Sequence, residues 1–527
     1  MLIEKLPKEF LVAVDSNQSL RRYLNSLDKE KATTPVSWLW DGEHGNPDIE
    51  PDLVRSKWQA FLRARLSNGT EHEKKVLEFD LNSGEKWGPQ GGHARISAVL
   101  DEIVLPTFKR SEHKASFAAF SDPDWEEAKR RVILFFNRLG IANLRPMSPK
   151  GAIKYIQNMH ADRLSSNSGY PSFSKRKLPE VSAQALADAE SGKYLDYPAI
   201  LLFRYYRKKL RMVWMFPFST NLVEATYYLP LFNSMLKKPE ITENFFAPWT
   251  GFEGVRTLVS KRYLAGAKIA ASDFSATDEH FTWDTSSQVA DVLARLFQEE
   301  YREGLRSSLQ HMHEIPLMIS PTQWITGKHG VSSGSMWTNF VETIFDFILA
   351  TYAEIKSAGK VRGLYAIGDD MAWEVDGDET WFNPWLEQLG ISVGQEIKKE
   401  KTMLKPDKVK TLQRLFQPNY KQSSGSALRG VYPTIRALNS LLFPERWHDP
   451  KEWDFDKFAV RTFSILENCV DHPLFSEFVE FTMKGNPRLF DWVSQANGKL
   501  DSLQTAAMLL PGLVPTYNRE KKETPLS

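Results

Sequence analysis

Apolar and polar residues follow two different periods along this chain, and the points where the period changes mark where chemistry could sit. Lys268-Ile269-Ala270-Ala271-Ser272 is a short, mostly apolar run that predicts a buried strand, with Asp273 at its end. After Phe274-Ser275-Ala276-Thr277 and Asp278, a helical period runs from about Glu279 to Tyr301. A second helix is predicted from about Met336 to Ser357, stopped by Gly359. Trp337, Phe340, Val341, Ile344, Phe345 and Ile348 share its apolar face, and Asn339, Thr343 and Asp346 lie opposite. Arg362–Ile367 and Met371–Val375 then read as strands, and Gly368-Asp369 between them suits a tight hairpin turn. Further on, the Trp385–Gly390 segment reads as a helix ended by its glycine, with Ile391-Ser392-Val393 as the next strand.

Three patterns fall on these elements in order: Asp273-x4-Asp278, Ser333-Gly334-x3-Thr338-Asn339, and Gly368-Asp369-Asp370. A strand end and a hairpin tip can lie side by side in one sheet. That would bring Asp273 and Asp369 within reach of shared divalent ions, with Asp370 in support. Hard carboxylate oxygens suit Mg²⁺ or Mn²⁺. Two such ions about 3.5–4 Å apart are the arrangement that serves phosphoryl transfer in polymerases. The bland alternative is a solvated acidic turn. The small residues Gly330-Val331-Ser332-Ser333-Gly334-Ser335 form a loop leading into the second helix. An Asn339 amide beside that loop can bond a ribose hydroxyl, helped by Asp278. Alternatively, Ser333 caps the helix while Thr338 and Asn339 solvate its first turn.

Taken together, these blocks resemble viral RNA-dependent RNA polymerases. The Asp273–Phe281 block and the Ser333–Asn339 block are most similar to enzymes of small double-stranded RNA viruses, picobirnaviruses first and partitiviruses next. The resemblance covers roughly residues 160–420. It implies an α+β fold of the right-hand polymerase type, with fingers, palm and thumb, an antiparallel palm sheet and a largely helical N-terminal extension. The bounds it suggests are 1–150 for an extension bridging fingers and thumb, and 151–265 with 302–331 for the fingers. The palm would hold 266–301 and 332–412, and the thumb with its tail 413–527.

Other segments take meaning from the same resemblance. Asn167-Ser168-Gly169-Tyr170-Pro171 is similar to the loop beside the template backbone, which makes Ser168, Gly169 and Pro171 template-binding candidates; an ordinary Gly-Pro turn is the alternative. Arg204-Tyr205-Tyr206-Arg207-Lys208-Lys209-Leu210-Arg211 packs five cations into eight positions. It resembles the finger segment that neutralises an incoming triphosphate, with Lys209 and Arg211 as first candidates and a solvated charged face as the alternative. Glu400-Lys401-Thr402 implies Lys401 as the proton donor to leaving pyrophosphate, with Lys398 and Lys399 behind it. Thr411–Phe416 resembles the primer-grip hairpin.

Composition changes the picture only at the margins. A chain of 527 residues exceeds the usual single core, so several subdomains are expected. The net charge of +1 means that RNA binding would need a local basic channel. The single cysteine, Cys469, excludes an intramolecular disulfide or a cysteine-based zinc site and fits a reducing compartment. The first ten residues are too charged for a signal peptide, and no apolar run approaches the roughly 20 residues that span a bilayer. The polar 421–426 loop and the charged 519–524 tail could enter the cavity to support initiation, or could be surface segments.

The expected partners are single-stranded RNA template, nascent RNA, nucleoside triphosphates and a viral capsid protein. The virion interior and host cytoplasm are the expected locations. A reverse-transcriptase-like polymerase and a non-catalytic RNA-binding protein with a polymerase fold are the rivals. The Thr338-Asn339 helix start argues against the first, and the full set of carboxylates argues against the second.

Overall fold

The computed structural model describes residues 1–43, 45–112, 117–159, 161–398, 402–423, 425, 427–446, 453–495 and 502–503. In chain order its strands are β1 (Leu2–Lys5), β2 (Ala199–Tyr206), β3 (Lys209–Met215), β4 (Ile269–Ser275), β5 (Leu317–Met318), β6 (Gln323–Thr326), β7 (Val361–Ile367), β8 (Asp370–Val375), β9 (Glu396–Ile397), β10 (Met403–Leu404), β11 (Val409–Thr411) and β12 (Arg414–Phe416). The chain divides into two compact units.

The first unit comprises Met1–Glu30, Ala94–Phe203 and Met212–Pro406. One of its sheets has the order β10-β4-β8-β7, with every pairing antiparallel and β9 paired to the far end of β4. The helix Thr338–Lys356 packs on β7 of this sheet. The apolar stripe read from its sequence is buried: Trp337, Val341, Ile344, Phe345 and Ile348 join Trp125, Phe136, Phe281 and Trp373 in one core. Each large side chain buried in this way contributes roughly 1.5–3 kcal/mol relative to exposure. That is more than any single polar contact at the turn contributes, so the core fixes the helix on the sheet. A second sheet, β1-β6-β5-β2-β3, mixes antiparallel pairs with the parallel pair β2–β5.

Two elements depart from the pattern-based expectation. The helix expected from Glu279 to Tyr301 is broken into Thr277–His280 and Trp283–Ala294. The break lets Phe281 turn into the core, where its ring meets Phe345 edge-on at 5.1 Å. At the other end, residues beyond Arg295 leave the helix because Leu144 donates to the Leu296 carbonyl and accepts from Gln298. Gly390 does not end its helix, which runs from Glu379 through Ser392, so Ile391-Ser392-Val393 is not a strand. The glycine is there for clearance, since a Cβ would lie 2.9 Å from Ile397 Cγ1. The left-handed turn comes at Gly394, with φ 77°.

The second unit comprises Lys31–His93, Arg204–Arg211 and Asp407–Ser527. Its core draws Trp40, Trp58 and Leu62 from the first segment and Leu438, Phe458, Phe463, Phe478 and Leu489 from the last. The buried Asp80 carboxylate ties the two segments. It accepts from the backbone N–H groups of Thr434 and Ile435, both at 2.9 Å, at the start of the Thr434–Leu442 helix. β11 and β12 form the expected hairpin, turning through Leu412 and Gln413 with φ 45° and 65°. Among the described residues no helix is long and apolar enough to cross a membrane.

Candidate active site

The carboxylates meet through strand register in the first unit. β4 continues past Asp273 to Ser275, and Asp273 stands opposite Asp370 of β8. β7 and β8 pair so that Ile367 faces Asp370, which leaves Gly368-Asp369 as a two-residue turn. Gly368 has φ 59°, a conformation a side chain would strain. The Asp369 carbonyl accepts from Phe274 N–H at 3.3 Å, tying the turn to β4. Asp369 is exposed, and Asp273 and Asp370 are half-buried. Ala276, with φ 51°, swings the chain from β4 into the short helix carrying the exposed Asp278.

The Thr338–Lys356 helix begins directly over the turn. A Cβ on Gly368 would lie 2.7 Å from Asn339 Nδ2 and 3.3 Å from Glu342 Oε2. Thr343 fastens the two together: its hydroxyl accepts from Gly368 N–H at 3.0 Å and donates to the Asn339 carbonyl at 2.7 Å. Burial pushes the Glu342 carboxyl well above the usual range, and the charges of Asp278 and Asp369 push it further. Asp346, one turn along, is raised in the same way by burial, then by Glu342, Asp369 and Asp370. This crowding of negative charge, met by hard oxygen donors, fits a divalent cation. Among the described residues no three acidic, histidine or cysteine side chains converge as a ready-made metal cluster. The fit therefore rests on donor chemistry and register.

The Ser-Gly loop is held by residues distant in sequence. A Cβ on Gly330 would lie 1.9 Å from the Asp278 carbonyl, and one on Gly334 2.0 Å from the Trp214 carbonyl. Only glycine permits either approach. Gly330 N–H donates to Thr107 Oγ1 at 2.9 Å, and that hydroxyl donates to the Asp278 carbonyl at 3.1 Å. Ser333 Oγ accepts from Trp214 N–H at 3.3 Å, and Thr338 Oγ1 donates to the Ser332 carbonyl at 2.6 Å. Behind the loop His313 and His329 are fully buried, with Trp214 stacked on the His329 ring at 4.3 Å.

Residues 206–423 match the family model of the viral RNA-dependent RNA polymerases. The chain is 28% identical over 368 residues to a potential RNA-dependent RNA polymerase of a human picobirnavirus; the match takes in 66% of each chain, just under two thirds of that relative's length. The crystal structure of the RNA-dependent RNA polymerase of a human picobirnavirus superposes with a TM-score of 0.79 at 22% identity, over 96% of this chain and 94% of that one. The fold is that of a viral RNA-dependent RNA polymerase. An insertion-loop deletion mutant of the picobirnavirus enzyme agrees, with a TM-score of 0.78 at 22% identity over 96% of this chain and 99% of its own. The resemblance read from the motifs and the α+β right-hand fold it implied are therefore borne out.

The other positions singled out by the polymerase resemblance fall as follows. Ser168 and Gly169 are buried in a turn where Ser168 Oγ accepts from Ser174 N–H at 3.2 Å; Pro171 is half-buried behind the cis Tyr170-Pro171 bond. Lys209 and Arg211 are exposed on β3, in the stretch that belongs to the second unit. There Lys86 titrates below the ordinary lysine range, first through burial and then through the positive charges of Arg436, Lys410, Arg207 and Lys209, so cations are concentrated in that unit. Lys398 is exposed and pairs with Glu396 at 3.3 Å. Lys399, Lys401 and the 519–527 tail lie outside the described residues, as do Ser424 and Ser426 of the polar loop. Sequence reasoning missed Thr107, Glu224, His313, His329 and Glu342. Of these only Glu342 carried a local signal, being one helical turn from Asn339 on the face towards the carboxylates.

Proposed function

We propose that this chain is an RNA-directed RNA polymerase that joins a 3′-hydroxyl to the α-phosphate of a nucleoside triphosphate and releases pyrophosphate. The observation that carries the reading is the register of Asp273 against Asp370, with the Gly368-Asp369 turn lying under Asn339. Asp273 and Asp369 hold two divalent ions, Mg²⁺ or Mn²⁺, and Asp370 supports them. Such ions, when bound, make the hydroxyl a better nucleophile and offset charge on the leaving pyrophosphate.

The chain's own residues orient the substrates. Asp278 and Asn339 bond the ribose hydroxyls, and the exposed placement of both leaves them able to do so. Ser333 and Gly334 form the loop against which the nucleotide is seated, and Thr338 fixes that loop to the helix start. Lys209 and Arg211 bind the triphosphate; Ser168, Gly169 and Pro171 shape the template loop; Lys401 supplies the proton to pyrophosphate. In this assignment the fingers, palm and thumb keep the bounds given above. The likeness to picobirnavirus enzymes supports replication and transcription of a double-stranded RNA genome, in the virion interior and host cytoplasm, beside a capsid protein.

The test is incorporation of labelled ribonucleotide on single-stranded RNA without primer, with Mg²⁺ or Mn²⁺, beside Asp369→Ala. Template-length product from the wild type alone is expected. Equal product from the variant would sink the assignment, and a preference for deoxyribonucleotides would favour the reverse-transcriptase reading.

A further inference from the structure

Behind the Ser-Gly loop runs a polar chain that none of the motifs names. Glu224, on the Phe218–Leu236 helix, is 2% exposed. Its Oε1 accepts from Ser335 Oγ at 2.5 Å. Its Oε2 accepts from Met336 N–H at 3.0 Å and from Asn221 Nδ2 at 2.9 Å. Asn221, one turn earlier on the same helix, also donates to the Gly334 carbonyl at 3.1 Å. On its other side Asn221 Oδ1 accepts from Arg176 Nη2 at 2.9 Å, and Arg176 Nε donates to the Asn167 carbonyl at 3.1 Å. The Arg176 guanidinium lies 4.9 Å over the Phe218 ring, and Phe218 N–H donates to the Ser168 carbonyl at 2.8 Å. Hydrogen bonds thus run without a break from the 167–169 loop to the start of the helix that carries Asn339.

We infer that Arg176, Asn221 and Glu224 are positioning residues that hold the template loop and the Ser-Gly loop as one frame, and so set where Asn339 meets the ribose. The inference rests on the polymerase reading above. A buried carboxyl is costly unless its oxygens are bonded, and here both are. Burial pushes Glu224 up to about 7 while its three donors pull it back. The backbone N–H of Met336 and the Asn221 amide share Oε2, while the Ser335 hydroxyl bonds Oε1. In Glu224→Leu both acceptors are gone. Met336 N–H would then lose its seat, and the segment leading into the Thr338–Lys356 helix, three residues before Asn339, would shift.

The experiment uses the full chain on a pre-annealed RNA primer and template, which removes initiation from the measurement. Single-nucleotide kcat/KM is measured for matched ribo- and deoxyribonucleotides, with melting temperature as a control. Glu224→Leu and Asn221→Ala are each expected to lower ribonucleotide kcat/KM by roughly tenfold to a hundredfold. The ribose-over-deoxyribose ratio is expected to fall with it while the protein still melts cooperatively. A role in folding alone would leave that ratio at the wild-type value, so an unchanged ratio in both variants overturns the inference. If Glu224→Leu does not fold, Asn221→Ala decides by the same ratio. A wild type that incorporates nothing on the primed template counts against the polymerase reading itself, which separates the two failures.

Discussion

The β7–β8 hairpin and the Gly330–Ser335 loop both present functional groups from a glycine-bearing bend, yet they are built in opposite ways. The hairpin is local. Its two strands pair with each other, its turn is two residues long, and Gly368 supplies the left-handed φ that the turn requires. The loop has no internal ladder. Thr107, Trp214, Asn221, Glu224 and Asp278 hold it, from places up to about 220 residues away in sequence. For a bend made by its neighbours in sequence, both the turn and its partners can be read from sequence; for one made by its neighbours in space, the loop can be read but the residues that hold it cannot.

The sharpest way to break the contrast is Gly334→Ala. Its Cβ would stand 2.0 Å from the Trp214 carbonyl oxygen, a backbone atom that cannot step aside. Loop displacement of about 1 Å should cost on the order of a hundredfold in incorporation. Single-nucleotide turnover on a primed template checks this, and near wild-type turnover would show that the loop is not tightly held.

A smaller effect should appear in acid stability. Burial holds His313 at about 3 and His329 at about 4, so both are neutral in the folded protein at pH 7. Unfolded histidine titrates near 6.5, so below that the unfolded chain takes up protons first. The stabilisation is present above about pH 6.5 and is lost as pH falls through about 4 for His329 and about 3 for His313. It amounts to a few kcal/mol. Melting temperature against pH should fall over that window, and His313→Gln should flatten the slope.

The smallest effect belongs to the hairpin side. Thr343→Val keeps the shape but removes the acceptor for Gly368 N–H, leaving a buried donor unpaired. That should cost about 1–3 kcal/mol in denaturant unfolding. Incorporation should fall less than in Gly334→Ala, because the β7–β8 ladder still holds the turn.

The same division explains what the sequence made legible. Asp273, Asp369, Asp370 and Asn339 sit on elements whose periodicity and turn chemistry are self-contained, and the structure forms those elements and brings them together. The 279–301 helix was misread because Phe281 and Leu296 answer to Phe345 and Leu144, partners that local periodicity does not register. Gly390 was misread because clearance against Ile397, not a left-handed turn, demands the glycine. Glu224 looked like any charged residue in a helix until the loop closed over it.

The second unit's construction has a consequence for biosynthesis. Its core joins Lys31–His93 to Asp407–Ser527, so Trp40, Trp58 and Leu62 leave the ribosome roughly 375–440 residues before the Leu438, Phe458 and Phe478 that cover them. At 5–20 residues per second that is a wait of roughly 20–90 seconds. During that interval a tryptophan-rich apolar surface has no native partner. The nascent chain must therefore pass through a stage in which its N-terminal segment depends on chaperones or transient collapse, and the last hundred residues complete two regions of the molecule at once, their own and the one made first.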